Sequence, residues 1–578
     1  MSAGPRKLAP LVVCIALGAV LRIPGLGSFP PPLTQDEASR GYDAWCLLET
    51  GEDRHGRRWP FFLESFGPGD YTAAFTTYLT MPFVAALGPT PTALRLPDAL
   101  LGVATVALVF VFVRRRFDNT TACIAAAVLA LDPWHISLCR TAHESGFTPF
   151  LLALALVGMQ SAGLLPERNP RPKGFAVSLR HRTAFGLLAG LALSLHAWAY
   201  PATRLFTPLF CLVFVVLYGR DYIGMLRRGA QRGPPIAAGI GLILGASPLW
   251  ITALTAPHRI AARSGATLLF HQDLSALQIA GNFVSNWLSN LNPFFQFVQG
   301  QDVCGESIPQ VGLHLAILAP FWLLGLIRIA ATILQSRQSR LLMAWMLLYP
   351  VPAAVCGDWN PHPLRTVAGV ALFPIIAAVG ARVAMSALNK QKRPVRRIVG
   401  ALAIAAFAAN VGHFANAYFR KFIPIAELAY QTRLIRAFEY VAANAGEADF
   451  VLVTNIANQP YIYALLAEPI SPDELKRSPM VAVDGPNGFH QVLAVGRYLF
   501  MPINTRRFPG TQERFDALLG RLPPQGDGFL IFESDSKAPG IESSPIVYRA
   551  EATSNPAINT PEPTYFVHKV RAAGNQRP

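Results

Sequence analysis

The chain has 578 residues, of which 52% are hydrophobic and 15% charged, and its formal net charge is +16. That balance excludes an ordinary water-soluble fold of this size and makes the bilayer the expected solvent. The positive charge sits in short loops, with no basic stripe interleaved with stacking aromatics, so nucleic-acid binding is set aside.

Apolar windows give about eleven spans, near residues 8–24, 93–113, 119–138, 146–165, 183–198, 204–219, 236–254, 312–332, 341–357, 365–386 and 398–417. Basic residues gather in every second loop. They are Arg114, Arg115 and Arg116; then Arg168, Arg171, Lys173, Arg180 and Arg182; then Arg220, Arg227, Arg228 and Arg232; then Arg337 and Arg340; then Lys390, Lys392, Arg393, Arg396 and Arg397. By the positive-inside rule those loops and the N-terminus are cytoplasmic and the C-terminal tail lies outside, in the cell (inner or plasma) membrane. Arg6 and Lys7 before an apolar stretch imitate a signal peptide, but no small-residue cleavage site follows, and the segment is kept as an uncleaved first helix. The apolar run from Tyr71 to Gly88, interrupted by Pro82, is expected to lie in the outer interface, because a full span there would reverse the charge alternation.

The expected organisation is a transmembrane domain over 1–419 with large outer loops at 24–92 and 255–311, then a soluble extracytoplasmic α/β domain over 420–578. In the tail, Phe450 to Thr454 and Phe529 to Phe532 read as strands and Leu428 to Ala443 as an amphipathic helix. No pair of Gly/Pro-broken spans stands out in matching halves, which weakens a transporter reading. The cysteines show no zinc or redox spacing; Cys304 and Cys356 fall in outer loops, where an oxidising compartment would permit a disulfide.

Three outward segments carry candidate chemistry. The first is Leu33-Thr-Gln-Asp36-Glu37-Ala38, two acids at the membrane surface; the alternative is an acidic first helical turn after an N-cap at Thr34. The second runs from Asp132-Pro-Trp-His135 to Arg140-Thr-Ala-His143-Glu144, where Glu144 offers a second carboxylate to share proton transfer and positioning, against a solvated loop end. His135 and His143 match no closed zinc pattern. The third is Asp358-Trp-Asn-Pro-His362-Pro-Leu-Arg365, with donors and positive charge suited to a phosphate, against an arginine that only snorkels to headgroups.

Together these segments, with Tyr42-Asp43, the run Leu47 to Gly56 and Arg95-Leu-Pro97, resemble glycosyltransferase family 39. Its relatives include protein O-mannosyltransferases and lipid A aminoarabinose transferases of the glycosyltransferase C superfamily. The resemblance implies an α-helical polytopic membrane fold of glycosyltransferase C type. It implies a polyprenyl-phosphate-linked sugar donor, a protein, lipid or glycan acceptor, and inverting transfer on the outer face. Asp36 matches the family's catalytic Asp. Glu37 and Glu144 are its companion carboxylates; Arg365, His362, Arg140, His143 and Tyr42 are the candidate substrate-binding residues. No metal ligand or cofactor is assigned, a divalent metal being left open. Asn292-Pro-Phe-Phe-Gln-Phe through Gly305-Glu306 departs from the family's gating-loop pattern, and Gln459-Pro-Tyr461-Ile-Tyr463 is familiar from bacterial members but carries no assigned chemistry. The rival readings are a transporter or flippase of lipid-linked sugars and a non-catalytic membrane scaffold.

Overall fold

The computed structural model describes residues 9–31, 33–166, 178–262, 264–301, 307–444, 446, 448–454, 459–477, 480–484, 488–502, 511–519, 521, 527–533, 546–550 and 565–571. Cys304, Gly305 and Glu306 lie outside them, as do Arg168, Arg171 and Lys173. The chain forms two compact units: Met1–Leu26, Arg95–Ile260 and Ser264–Arg420 make the first, and Gly27–Leu94, Ala261–Arg263 and Lys421–Pro578 the second. The sequence reading assigned the first outer loop to the transmembrane domain, whereas its packing groups it with the tail.

The first unit is helical. Among the described residues, five helices are long and apolar enough to cross a membrane: Pro91–Arg116, Glu144–Ala162, Pro201–Arg227, Val367–Leu388 and Arg393–Glu427. Two bent pairs, Asn119–Ala130 with Pro133–Arg140 and Gly233–Gly245 with Ser247–Thr255, bring the number to seven if each is one span. Not every one of the eleven expected windows forms a single helix of that length among the described residues. The segments near 8–24 and 312–332 form the shorter apolar helices Ala9–Arg22 and Ala316–Ala331. Leu179–Ala199 is long enough but is diluted by His181, Arg182 and His196. The segment 341–357 breaks between Arg337–Leu348 and Val351–Ala354, where Pro350 and Pro352 interrupt the ladder. The bends themselves have readable causes, Pro133 behind an Asp132 N-cap and Pro248 at the start of the second half, and the sequence reading passed over them. Close helix contacts use missing side chains: a Cβ on Gly380 would stand 1.8 Å from Phe321 O, where Ala319–Ala331 meets Leu372–Leu388.

The second unit carries a seven-stranded mixed sheet in the order Val481–Asp484, His490–Val495, Tyr498–Phe500, Phe450–Val453, Asp527–Glu533, Tyr565–Arg571, Ile546–Ala550. The two strands expected in the tail are direct neighbours at its centre, parallel, with Val451 opposite Phe529. The amphipathic helix expected over 428–443 appears as Thr432–Asn444, preceded by Gln431 at φ +55°, and buries Leu434, Ala437, Phe438 and Val441 at helical spacing. The loop residues 27–94 contribute helices Gln35–Thr50 and Ala74–Leu87 and the hairpin of Phe62–Glu64 with Tyr71–Ala73. Backbone bonds tie this hairpin to the tail: Gly69 N donates to Gly488 O at 2.9 Å and His490 N to Phe66 O at 2.7 Å. A side chain on Gly67, at φ +132°, would stand 2.4 Å from Gly488 O, so this approach requires glycine.

Candidate active site

The helix Gln35–Thr50 starts at Thr34, whose Oγ1 accepts from Glu37 N at 3.2 Å while Glu37 Oε2 accepts from Thr34 N at 2.8 Å. This reciprocal capping box commits the buried Glu37 carboxylate to the helix start. Asp36, in the same turn, is exposed. The adjacent acids thus differ: Glu37 is committed to the cap and Asp36 is exposed. Tyr42, two turns on, is fully buried and donates to Ile470 O at 2.7 Å, which fastens the helix to the tail.

The tail motif without assigned chemistry reaches the same place. Gln459 Nε2 donates to His490 O, Tyr461 Oη donates to Ser65 O, and the helix Tyr461–Ala467 packs on Gln35–Thr50. Burial, followed by the charges of Asp36 and Glu37, holds the Tyr463 phenol well above its usual range, so it remains a neutral O–H beside the acids. Asp43 on the same helix faces Arg54, with Oδ2 3.7 Å from Nη1 and Oδ1 accepting from Arg54 N at 3.3 Å. Burial wins over that cation and pushes the Asp43 carboxyl up to about 7. Arg54 is further held by the carbonyls of Glu64 and Ser65.

In the helical unit the second candidate segment splits into a brace and a site. Asp132 caps Pro133–Arg140 by accepting from His135 N at 3.0 Å, and its Oδ2 lies 2.6 Å from His314 Nδ1, whose ring stacks on Phe373 at 4.4 Å. Arg22 donates to Leu129 O and Ala130 O, both at 2.9 Å, satisfying carbonyls freed at the bend, and contacts His135 Nδ1 at 3.0 Å. Arg140, 2% exposed, donates to Leu21 O and Arg22 O and lies over Phe419. Its contacts brace the end of the first helix.

His143 and Glu144 follow. His143 Nδ1 accepts from Ser145 N at 3.2 Å, capping the short helix Glu144–Phe147, and its ring meets Tyr200 edge-on at 5.7 Å. Glu144 is half-buried and interacts electrostatically with Arg204, in the first turn of Pro201–Arg227. The third segment joins here. Arg365 donates through Nη1 and Nη2 to the two Asp358 oxygens at 2.6 and 2.8 Å, a bidentate fork. Burial opposes the Arg365 charge, but Asp358 outweighs it and holds the guanidinium above its usual range. His362 N donates to Asn290 Oδ1 at 2.9 Å. Burial, then the Arg365 charge, lowers the His362 imidazole to about 3, and His143 adds to the effect. His143, Glu144, Tyr200, Arg204, His362 and Arg365 therefore form one polar cluster, with a permanent cation at Arg365 and a neutral imidazole at His362. Tyr200 and Arg204 had no sequence signal beyond a Tyr-Pro helix start and one arginine inside an apolar span.

Among the described residues, no group of three or more His, Cys, Asp or Glu is arranged to hold a metal ion. Among the described residues Cys356 has no disulfide partner, and Cys304, the partner considered from the sequence, lies outside them.

The family model of dolichyl-phosphate-mannose-protein mannosyltransferases matches residues 45–164, a stretch that begins after Asp36 and includes Glu144. The chain is similar in structure to ArnT from Cupriavidus metallidurans bound to undecaprenyl phosphate, at TM-score 0.56 and 11% identity over 100% of both chains. The apo form of that protein gives TM-score 0.55, again at 11% identity over 100% of both chains. The Archaeoglobus fulgidus oligosaccharyltransferase in the apo form matches at TM-score 0.49 and 12% identity, over 92% of this chain and 70% of that one. No curated protein sequence matches. The resemblance read from the motifs is thus borne out by a family model over residues 45–164 and by a fold: the chain has the fold of ArnT from Cupriavidus metallidurans.

Proposed function

We propose that the protein is a membrane glycosyltransferase that takes a sugar from a polyprenyl-phosphate donor and gives it to a protein, lipid or envelope-glycan acceptor on the outer face of the plasma membrane. The observation that carries this reading is the division of labour at the start of Gln35–Thr50, where Glu37 is spent on the cap and Asp36 is left exposed. In the reaction the acceptor O–H proton passes to Asp36, the acceptor oxygen attacks the anomeric carbon, and the bond from that carbon to the phosphate oxygen breaks with its electron pair on the phosphate. A single displacement inverts the anomeric centre. The phosphate is already a competent leaving group, so the protein's task is alignment, one proton transfer and stabilisation of negative charge.

A phosphate is the ligand suited to the cluster around Arg365. Its guanidinium is preorganised by Asp358, and His362, being neutral, donates or accepts a hydrogen bond without adding charge. Glu144, set against Arg204, is the companion carboxylate that positions the acceptor. Arg140 and Tyr42 act through the scaffold, given their engagement with main-chain carbonyls. ArnT, solved with undecaprenyl phosphate, supports the carrier class, and the mannosyltransferase family model supports a hexose-like sugar. The side assignment rests on the basic loops, with Arg114 to Arg116 and Lys390 to Arg397 cytoplasmic.

The two bent helix pairs favour one second reading, a flippase for the same lipid-linked sugars. Incubating purified protein in detergent with polyprenyl-phosphate sugars separates the two. A transferase releases free polyprenyl phosphate and yields a glycosylated acceptor; intact donor after long incubation with every acceptor class would sink the proposal.

A further inference from the structure

The helix Ala276–Leu291 of the first unit contains no Asp, Glu, Lys or Arg. Its inward side is fixed by hydrogen bonds. Asn286 Nδ2 donates to Cys356 O at 2.8 Å, Asn290 Nδ2 donates to Asn360 Oδ1 at 2.9 Å, and Trp287 Nε1 donates to Leu347 O at 3.0 Å. The outward side is divided in two. Leu277, Val284 and Leu288 are 83%, 52% and 55% exposed, and at about 100° per residue they fall within roughly 40° of one another around the axis. Gln278, Asn282 and Ser285, also exposed, form a second strip turned by roughly 100° from the first.

One helix therefore has three sides: one bonded to protein, one apolar and bare, one polar and bare. A helix immersed in water has no use for the bare apolar strip, and one immersed in hydrocarbon no use for the polar strip. A helix lying along the boundary uses both. The apolar strip runs on in the chain to Phe294 and Val298, and upstream the bent span ends with exposed Trp250 and Leu254. The strip thus follows in the chain a bent helix pair that is apolar enough to cross a membrane.

We propose that the Leu277, Val284 and Leu288 face of this helix is a membrane-docking surface whose occupant is the acyl region of phospholipids, with the Gln278, Asn282 and Ser285 face in water. The test is to reconstitute the full chain in phosphatidylcholine vesicles doped with a phosphatidylcholine carrying a diazirine in its acyl tail, irradiate, and map the adducts by mass spectrometry. Adducts should appear on Leu277, Val284 and Leu288 several-fold more often than on Gln278, Asn282 and Ser285, and adducts on Pro201–Arg227 confirm reconstitution. V284D/L288D should lose labelling of the helix while keeping that of Pro201–Arg227; if it fails to fold, the unaltered chain's adduct pattern decides. Even labelling of both strips, no adducts on the helix despite labelled spans, or chain-to-chain crosslinks through the Leu277, Val284 and Leu288 strip would overturn the proposal. Because no turnover is read, its failure is distinct from failure of the transferase reading.

Discussion

Replacing Asp43 by Asn should change how stability depends on pH. An unfolded aspartate ionises near its ordinary value of 3.8, whereas folded Asp43 is pushed up to about 7 by burial, against Arg54 at 3.7 Å. The fold therefore prefers the protonated carboxyl. That contribution is complete below about pH 4, is lost as pH rises through 7, and stops changing above it. At about 1.4 kcal/mol for each pH unit between the two values, the loss is on the order of 4 kcal/mol. Asparagine imitates the protonated form and does not titrate, so Asp43→Asn should gain on the parent chain between about pH 4 and pH 7.5 by roughly that amount. Thermal unfolding in detergent across this range, followed by loss of near-ultraviolet signal, compares the two slopes. Parallel curves would show that Asp43 is ionised alongside Arg54 throughout, and that the Coulomb attraction outweighs desolvation.

Other expected outcomes follow from the same geometry. Arg365→Lys keeps a charge but loses one arm of the fork to Asp358, so a polyprenyl phosphate should bind more weakly by roughly 1 to 3 kcal/mol in a direct binding assay; unchanged affinity for both Lys and Ala would make Arg365 an interface anchor only. His362 is neutral down to about 3, so carrier affinity measured from about pH 5 to 8 should show no inflection that vanishes in His362→Asn. Glu37→Ala removes one side of the capping box and should cost about 1 kcal/mol of stability in unfolding measurements. Its turnover should stay far above that of an Asp36 variant; equal collapse of both would move the base to Glu37.

Much of this architecture was legible because its signals are local. The tail segments Phe450 to Val453 and Phe529 to Phe532 are short apolar runs, and a run of that kind at the centre of a mixed sheet needs no long-range information to be seen. Thr34 followed three residues later by Glu37 is a capping box readable from spacing alone, and it assigns Glu37 once the helix exists. Hydropathy windows do not register where a helix breaks within an apolar stretch. Pro350 and Pro352 end one helix and Pro133 bends another without lowering the apolar average. The pairing of Tyr463 with Asp36, far apart in the chain, depends on the tail packing with the first outer loop. Arg204 beside Glu144 is likewise a product of tertiary placement, and an arginine inside an apolar helix carries no spacing that marks its partner.

Sugar transfer by Asp36→Asn, measured alongside carrier binding and thermal stability, tests the central claim most directly. Asparagine keeps the size of the side chain and leaves the Thr34–Glu37 cap untouched, so folding and polyprenyl phosphate binding should persist. Loss of a general base typically lowers turnover by about 10² to 10⁴, equivalent to roughly 3 to 5 kcal/mol of barrier. A folded, carrier-binding Asp36→Asn protein with turnover down by that factor is the predicted result; near-normal transfer by the same protein would contradict the account.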